Sequence, residues 1–107
     1  MYKIKLTTKT INNDGKVTYE FTNYESKKYF NISKAFERLD KINDDFDEEE
    51  FKNEDDNIDM FSKYIINASS VRTKIRNGNM DEDLLVTCIR HNDTGITLQK
   101  SYTIEYV

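Results

Sequence analysis

The sequence predicts an α+β domain: a four-stranded antiparallel sheet with two helices on one face, in the order ββααββ. Apolar and polar residues alternate at both ends of the chain, which is typical of half-buried strands. In the middle, apolar residues recur every three or four positions, which indicates amphipathic helices. With 107 residues the chain has the length of one domain, so residues 1–107 are expected to share one core.

The N-terminal residues predict a β-hairpin. Residues 2–10 alternate apolar side chains with lysines and threonines, which indicates a strand with one buried face. The Asn-Asn-Asp-Gly run that follows ends in a dipeptide that accepts the positive φ of a tight turn. Residues 17–22 alternate again and form the return strand. Residues 23–30 fit either a continuation of this strand or a loop.

The first helix is expected to begin at a cap on Asn31 or Ser33. Its apolar stripe extends as far as Phe46, but Glu50 occupies the next place on the stripe and cannot belong in a core. The helix is therefore expected to end between Ile42 and Phe46. The stripe consists of Ile32, Ala35, Phe36, Leu39 and Ile42.

The second helix is expected to begin at a cap on Asp56 or Asn57 and to end at Asn77-Gly78. Its buried stripe would contain Ile58, Phe61, Tyr64, Ile65, Ala68, Val71 and Ile75. Residues 84–90 and 96–106 then predict two strands joined by a turn at residues 92–95. In the expected core, three residues of the second helix pack against the sheet. These are Phe61, Ile65 and Ala68, facing Leu6, Tyr19, Val86 and Ile104.

One strongly acidic stretch interrupts an otherwise mildly basic chain. Residues 44–59 carry ten acidic residues against Lys52, a net charge of −9 in a chain whose total is −4, so the other residues carry +5. The acidic residues are Asp44, Asp45, Asp47, Glu48, Glu49, Glu50, Glu54, Asp55, Asp56 and Asp59, with Phe46 and Phe51 between them.

Three interpretations of this stretch are open. It is a solvated connector with favourable charges at the start of a helix, a calcium loop, or a surface that occupies the nucleic-acid groove of another protein. Asp45, Asp47, Glu49 and Asp56 resemble an EF-hand loop, although Glu50 stands where that loop needs glycine. As a helix, the stretch would be about 24 Å long. Its carboxylates would then be spaced about 2.4 Å apart, between the roughly 1.7 Å per charge of duplex DNA and 3.4 Å of one strand.

In size, acidity and low cysteine content the chain is similar to small phage-encoded inhibitors, including anti-CRISPR proteins and other DNA mimics. The resemblance is one of overall character, without a shared motif. It implies a non-enzymatic protein that binds a host protein by occupying its basic nucleic-acid-binding groove. The contact surface would then comprise the ten acidic residues and Phe51, and direct binding to nucleic acid is not expected.

The remaining residues do not indicate an enzyme. One cysteine, Cys88, and one histidine, His91, cannot form a conventional zinc site. Three positions apart on a strand, they would also point to opposite faces, so Cys88 is expected to be a small core residue and His91 an exposed one. No cofactor or metal is expected. The absence of an apolar leader or span in the sequence predicts a cytoplasmic protein without membrane contact.

Two other functions are open. The first is sequestration of a small ligand such as a signalling nucleotide, bound by Arg72, Arg76, Arg90 and nearby tyrosines. The second is a phage structural or assembly protein whose exposed sheet edges pair between subunits. The sequence does not determine the oligomeric state.

Overall fold

A computed structural model describes residues 1–52, 58–64 and 83–107. These residues form an α+β fold in the order ββαβββ, which confirms the predicted class but not the predicted order. The elements are β1 (Tyr2–Ile11), β2 (Val17–Tyr29), α1 (Ile32–Lys52), β3 (Ile58–Tyr64), β4 (Leu85–His91) and β5 (Ile96–Tyr106).

The five strands form one antiparallel sheet in the order β2-β1-β5-β4-β3. The first and last strands of the chain are central neighbours, paired from Tyr2 opposite Tyr106 to Ile11 opposite Thr97. The chain ends continue this pairing, because the Val107 amide donates to the Met1 carbonyl at 2.8 Å. The edge strands are β2 and β3.

The predicted hairpin is confirmed. The side-chain oxygen of Asn12 accepts hydrogen bonds from the amides of Asp14 and Lys16, at 3.0 and 2.9 Å, and closes the turn. Gly15 has a φ of 81°, the left-handed conformation that glycine adopts without strain. Strand β2 continues to Tyr29, so the ambiguous residues 23–30 are mostly strand.

Helix α1 packs on one face of the sheet over the main core. The side-chain oxygen of Asn31 accepts a hydrogen bond from the Ser33 amide at 2.9 Å, as expected of an N-cap. The predicted stripe faces inward. Ile32, Ala35 and Leu39 are buried, and Phe36 and Ile42 are partly buried against the core. The fully buried large side chains are Ile4, Leu39, Leu85 and Ile104.

The prediction that α1 ends between Ile42 and Phe46 is wrong, since the helix continues to Lys52. Phe46 is only 8% exposed and extends the buried stripe by one more turn. Beyond it there is no glycine or proline before Lys52, and glutamate is a good helix former. A charged residue on the stripe therefore did not end the helix.

The predicted arrangement of two helices and four strands is also wrong. The residues expected to begin the second helix, Ile58–Tyr64, form β3 and pair antiparallel with β4, from Ile58 opposite His91 to Tyr64 opposite Leu85. In the same seven residues Ile58, Met60 and Tyr64 share alternate positions and Asp59 and Lys63 fall between them, so the pattern is also compatible with a strand, except at Phe61 and Ser62. Pairing with a distant strand decided between the two patterns. The rest of the predicted helix lies outside the described residues.

The predicted core is correct only in part. Ile104 is buried, Leu6 and Val86 are half-buried, and Tyr19 is 62% exposed. Tyr19 lies ten residues before the end of β2, about 33 Å along the strand from the point where the chain turns into α1. The side chain of Phe61, now on β3, together with Ile65 and Ala68, lies outside the described part of the chain.

Among the residues that the structure describes, no helix is both long enough and apolar enough to cross a membrane.

Candidate interaction surfaces

The acidic stretch does not form one continuous element. Its first part continues helix α1 as far as Lys52, and Asp44 and Asp45 on this helix are exposed. Phe46, directly after them, is buried and lines a cleft between the helix and the sheet. Asp45 lies 3.8 Å from Lys41, an exposed ion pair one helical turn apart.

The structure places the described residues of the predicted contact surface in two elements, α1 and β3. Asp59 lies on β3, opposite Arg90 of β4, and thus on a different element from the helical carboxylates. Three predicted residues, Glu54, Asp55 and Asp56, lie outside the described ranges. The residues placed on the helical backbone of α1 are Asp44, Asp45, Asp47, Glu48, Glu49, Glu50 and Phe51.

The charge of α1 changes sign along its length. Residues 32–41 carry three bases and two acids, whereas residues 42–52, the acidic half of α1, carry six acids and one base. Glu49 and Glu50 fall in the last turn, where the partial negative charge of the helix end disfavours carboxylates. Positions 44 and 48, and likewise 45 and 49, place like charges one turn apart. This arrangement costs helix stability, so helix formation does not explain it.

A second surface, which the sequence analysis did not identify, lies at the start of α1. This basic groove has a volume of about 600 Å³, and its most prominent side chain is Phe30, which is 88% exposed. The visible signal was the helical spacing of Lys34, Arg38 and Lys41 together with the Lys27-Lys28 pair. The groove is lined by Lys27, Lys28, Tyr29, Phe30, Asn31, Lys34, Glu37, Arg38 and Lys41.

Two interactions involve side chains that line the basic groove. Arg38 donates three hydrogen bonds to Glu25 of β2, from Nε to Oε1 at 3.1 Å and to Oε2 at 3.2 Å, and from Nη2 to Oε2 at 2.8 Å. These hydrogen bonds raise the pKa of Arg38 above its already high value. The ammonium of Lys27 lies 5.4 Å from the ring centroid of Tyr29, and burial raises the pKa of that tyrosine.

A smaller cleft of about 220 Å³ separates α1 from the sheet. Phe46, Ile89 and Leu98 form part of its apolar wall, and Arg38 and Lys100 contribute positive charge. Arg38 borders both this cleft and the basic groove. The cleft is smaller than the 300–1,000 Å³ of ordinary small-molecule sites, so it is a packing gap beside Phe46 rather than a first candidate for a ligand.

The edge strand β2 exposes a group of aromatic side chains. Tyr19 and Phe21 lie with their ring centroids 5.5 Å apart, and Tyr24 is also exposed. Hydrogen bonding to Glu105 raises the pKa of Tyr24. The alternation of residues 17–22 indicated a buried face that contained Tyr19. That prediction was wrong because the sequence does not show that α1 leaves this end of the sheet uncovered.

The residues considered for chemistry that the structure describes all lie on β4. Cys88 is buried as predicted, 4.0 Å from the side-chain oxygen of Gln99, and burial raises the pKa of its thiol. His91 is exposed at the end of β4. Arg90 also lies on β4, whereas Arg72 and Arg76 fall outside the described residues. In the described ranges no cluster of acidic, histidine or cysteine side chains could hold a metal ion.

Similarity to known proteins gives no further guide to the function. Compared with models of known families, with curated proteins and with solved structures, the chain matches none of them.

Proposed function

We propose that this chain is a non-enzymatic interaction protein that binds a nucleic-acid-binding protein through the acidic half of α1. The observation that carries the proposal is the exposure of Asp44 and Asp45 on a helix anchored beneath them by Phe46. The carboxylates are thus presented on a fixed backbone in an arrangement that opposes helix stability. Binding to a complementary basic surface would offset that cost.

The spacing of the charges supports a nucleic-acid mimic. Six carboxylates lie between positions 44 and 50, and this helical segment is about 9 Å long at about 1.5 Å per residue. The axial density is about one charge per 1.5 Å, close to the roughly 1.7 Å per charge of duplex DNA counted over both strands. A groove of lysines and arginines that accepts a duplex would therefore meet a similar charge density on this helix.

The proposed partner is a host protein in the cytoplasm, and the proposed role is that of a phage- or mobile-element-encoded inhibitor. Binding would exclude nucleic acid from the partner's groove because both ligands would need the same basic side chains. Such association is steered by long-range attraction between opposite charges, so its rate falls as salt screens them.

The test uses two charge-matched double variants. Asp44→Asn with Asp45→Asn removes two exposed carboxylates from the acidic half of α1. Asp14→Asn with Glu20→Gln removes two exposed carboxylates from the β1–β2 hairpin and serves as the control. Proteins retained from host lysate by the wild type are purified and titrated against all three chains at low and high salt, with duplex DNA as competitor.

The proposal expects the helix variant to bind more weakly than the hairpin control, and duplex DNA to displace the wild-type chain. Equal binding of the two variants would show that the acidic half is not the contact surface. A partner that binds duplex DNA and this chain simultaneously would contradict mimicry. Circular dichroism of both variants establishes that neither has lost its fold.

A further inference from the structure

We propose that the basic groove at the start of α1 is a binding site for a nucleotide, with the base stacked on Phe30 and the phosphate held by Lys27, Lys28 and Lys34. The residues proposed to bind the ligand lie at the start of the helix and are distinct from the acidic half, although Lys41 at the margin of the groove pairs with Asp45. The ligand class follows from two properties of the groove, its two unpaired lysines and its exposed aromatic ring.

The positive charge has several sources in one place. Five basic side chains line the groove against one carboxylate, Glu37, in a chain whose net charge is negative. Three of the five bases are paired with carboxylates: Lys34 with Glu37 at 3.2 Å, Arg38 with Glu25 at 2.8 Å and Lys41 with Asp45 at 3.8 Å. Lys27 and Lys28 have no ion-pair partner among the residues that the structure describes. The first turn of α1 contains no acidic residue, so the positive end of the helix dipole adds to the same potential. Together these charges favour a phosphate.

The exposed ring of Phe30 indicates that the ligand contains an aromatic group in addition to an anion. Its neighbour Tyr29 is buried against the core, which fixes the backbone from which the Phe30 ring projects into solvent. A bare phosphate would leave this ring exposed, whereas a nucleobase would stack on it and bury its apolar face. Aromatic rings beside basic side chains are the arrangement by which proteins hold an unpaired base and its phosphate.

The dimensions of the groove fit this ligand. Its volume of about 600 Å³ falls within the 300–1,000 Å³ of sites for small molecules. Arg38, which lines the groove, is held by Glu25, so its guanidinium keeps a fixed position although its charge is already paired. A free nucleotide and the end of a single-stranded nucleic acid present the same chemistry, and the experiment separates these two sources.

The experiment follows backbone amide NMR signals of the full chain during titration with AMP, with ribose 5-phosphate and with a short single-stranded oligothymidylate. AMP is expected to shift signals within residues 27–41 and to bind more tightly than ribose 5-phosphate, which lacks the base. Phe30→Ala should weaken AMP binding about 5- to 150-fold, the range for a base on an aromatic side chain, and leave ribose 5-phosphate unchanged. Phe30→Tyr should retain AMP binding.

The phosphate contacts are tested with a second matched pair. Lys27→Gln with Lys28→Gln should weaken both AMP and ribose 5-phosphate, whereas Lys9→Gln with Lys16→Gln on the hairpin should weaken neither. Binding of AMP assigns free nucleotides as the ligand, and binding of the oligonucleotide alone assigns the end of a strand.

Three results would overturn the proposal. One is equal affinity of AMP for the wild type and Phe30→Ala. Another is the absence of shifts within residues 27–41 with every probe. The last is a concentration-dependent shift of these signals without ligand, which would assign the groove to a second copy of the chain.

Discussion

Deleting the side chain of Phe46 tests whether the acidic half of α1 is anchored to the sheet. Among the helix side chains beyond Ile42 whose burial the structure describes, Phe46→Ala removes the one that is buried. Phe30→Ala is the matched control because it deletes the same ring from the same domain at a position that is 88% exposed.

The expected loss follows from the buried area. A phenylalanine side chain buries about 200 Å², which at about 25 cal/mol per Å² contributes about 5 kcal/mol when fully buried. Phe46 is 8% exposed, and residual burial in the unfolded chain lowers the figure further, to about 3–4 kcal/mol. The same arithmetic assigns Phe30 about 0.5 kcal/mol. For 107 residues the unfolding entropy is about 225 cal/mol/K, so Phe46→Ala should lower the Tm by about 15 °C.

Urea unfolding followed by circular dichroism measures both variants against the wild type. We expect the midpoint urea concentration for Phe46→Ala to fall well below that for Phe30→Ala. The slope of the unfolding free energy against urea concentration should be the same for both variants. Equal midpoints for the two variants would refute the anchoring of the acidic half. The proposed function depends on the presentation of Asp44 and Asp45 on a fixed helix. Equal midpoints would therefore also remove the support for that function.

Three further predictions concern the turns, the cysteine and the acidic charges. Gly95→Ala should destabilise the domain more than Gly15→Ala in urea unfolding. Both glycines have a positive φ, but only at Gly95 would an added Cβ lie 2.6 Å from the Cβ of Asn13. Equal losses of stability would contradict this close approach. Burial raises the pKa of Cys88, so the unfolded thiol, near 9.0, ionises before the folded one. The stability from burying the neutral thiol is present below pH 9.0 and lost as pH rises through the folded pKa. The difference in unfolding free energy between wild type and Cys88→Ala should therefore shrink above pH 9.0, and a constant difference would show that the thiol titrates equally in both states. Replacing Asp47, Glu48, Glu49 and Glu50 by asparagine and glutamine should raise the Tm at low salt, with a smaller gain at high salt; an unchanged or lowered Tm at low salt would show that their repulsion does not limit stability.

Local pattern predicted the features that depend on neighbours in the chain. Asn12 and Gly15 form the expected turn because their side-chain and backbone preferences act within a few residues. The cap at Asn31 and the inward stripe of α1 follow in the same way from the geometry of one helical turn. The burial of Cys88 was likewise predicted from its place on a strand, facing away from His91.

The candidate site was predicted only in its charge. The sequence identified the acidic stretch, but not that Asp44 and Asp45 would continue a helix while Asp59 would join a strand. The basic groove was missed because it combines the end of β2 with the first turns of α1, and Arg38 meets Glu25 only through the packing of the helix on the sheet. Side chains from two elements can be recognised as one site only when the positions of both elements are known.

Composition and local periodicity by themselves determined the class, the first hairpin, the start of α1 and the charge asymmetry of this protein. Tertiary structure decided the fate of Ile58–Tyr64, whose pattern fits both a helix and a strand and which pairs with β4. It also decided how far α1 extends and which aromatic side chains remain in solvent. Strand pairing and helix docking are interactions between residues distant in the chain, and no local pattern contains their free energy.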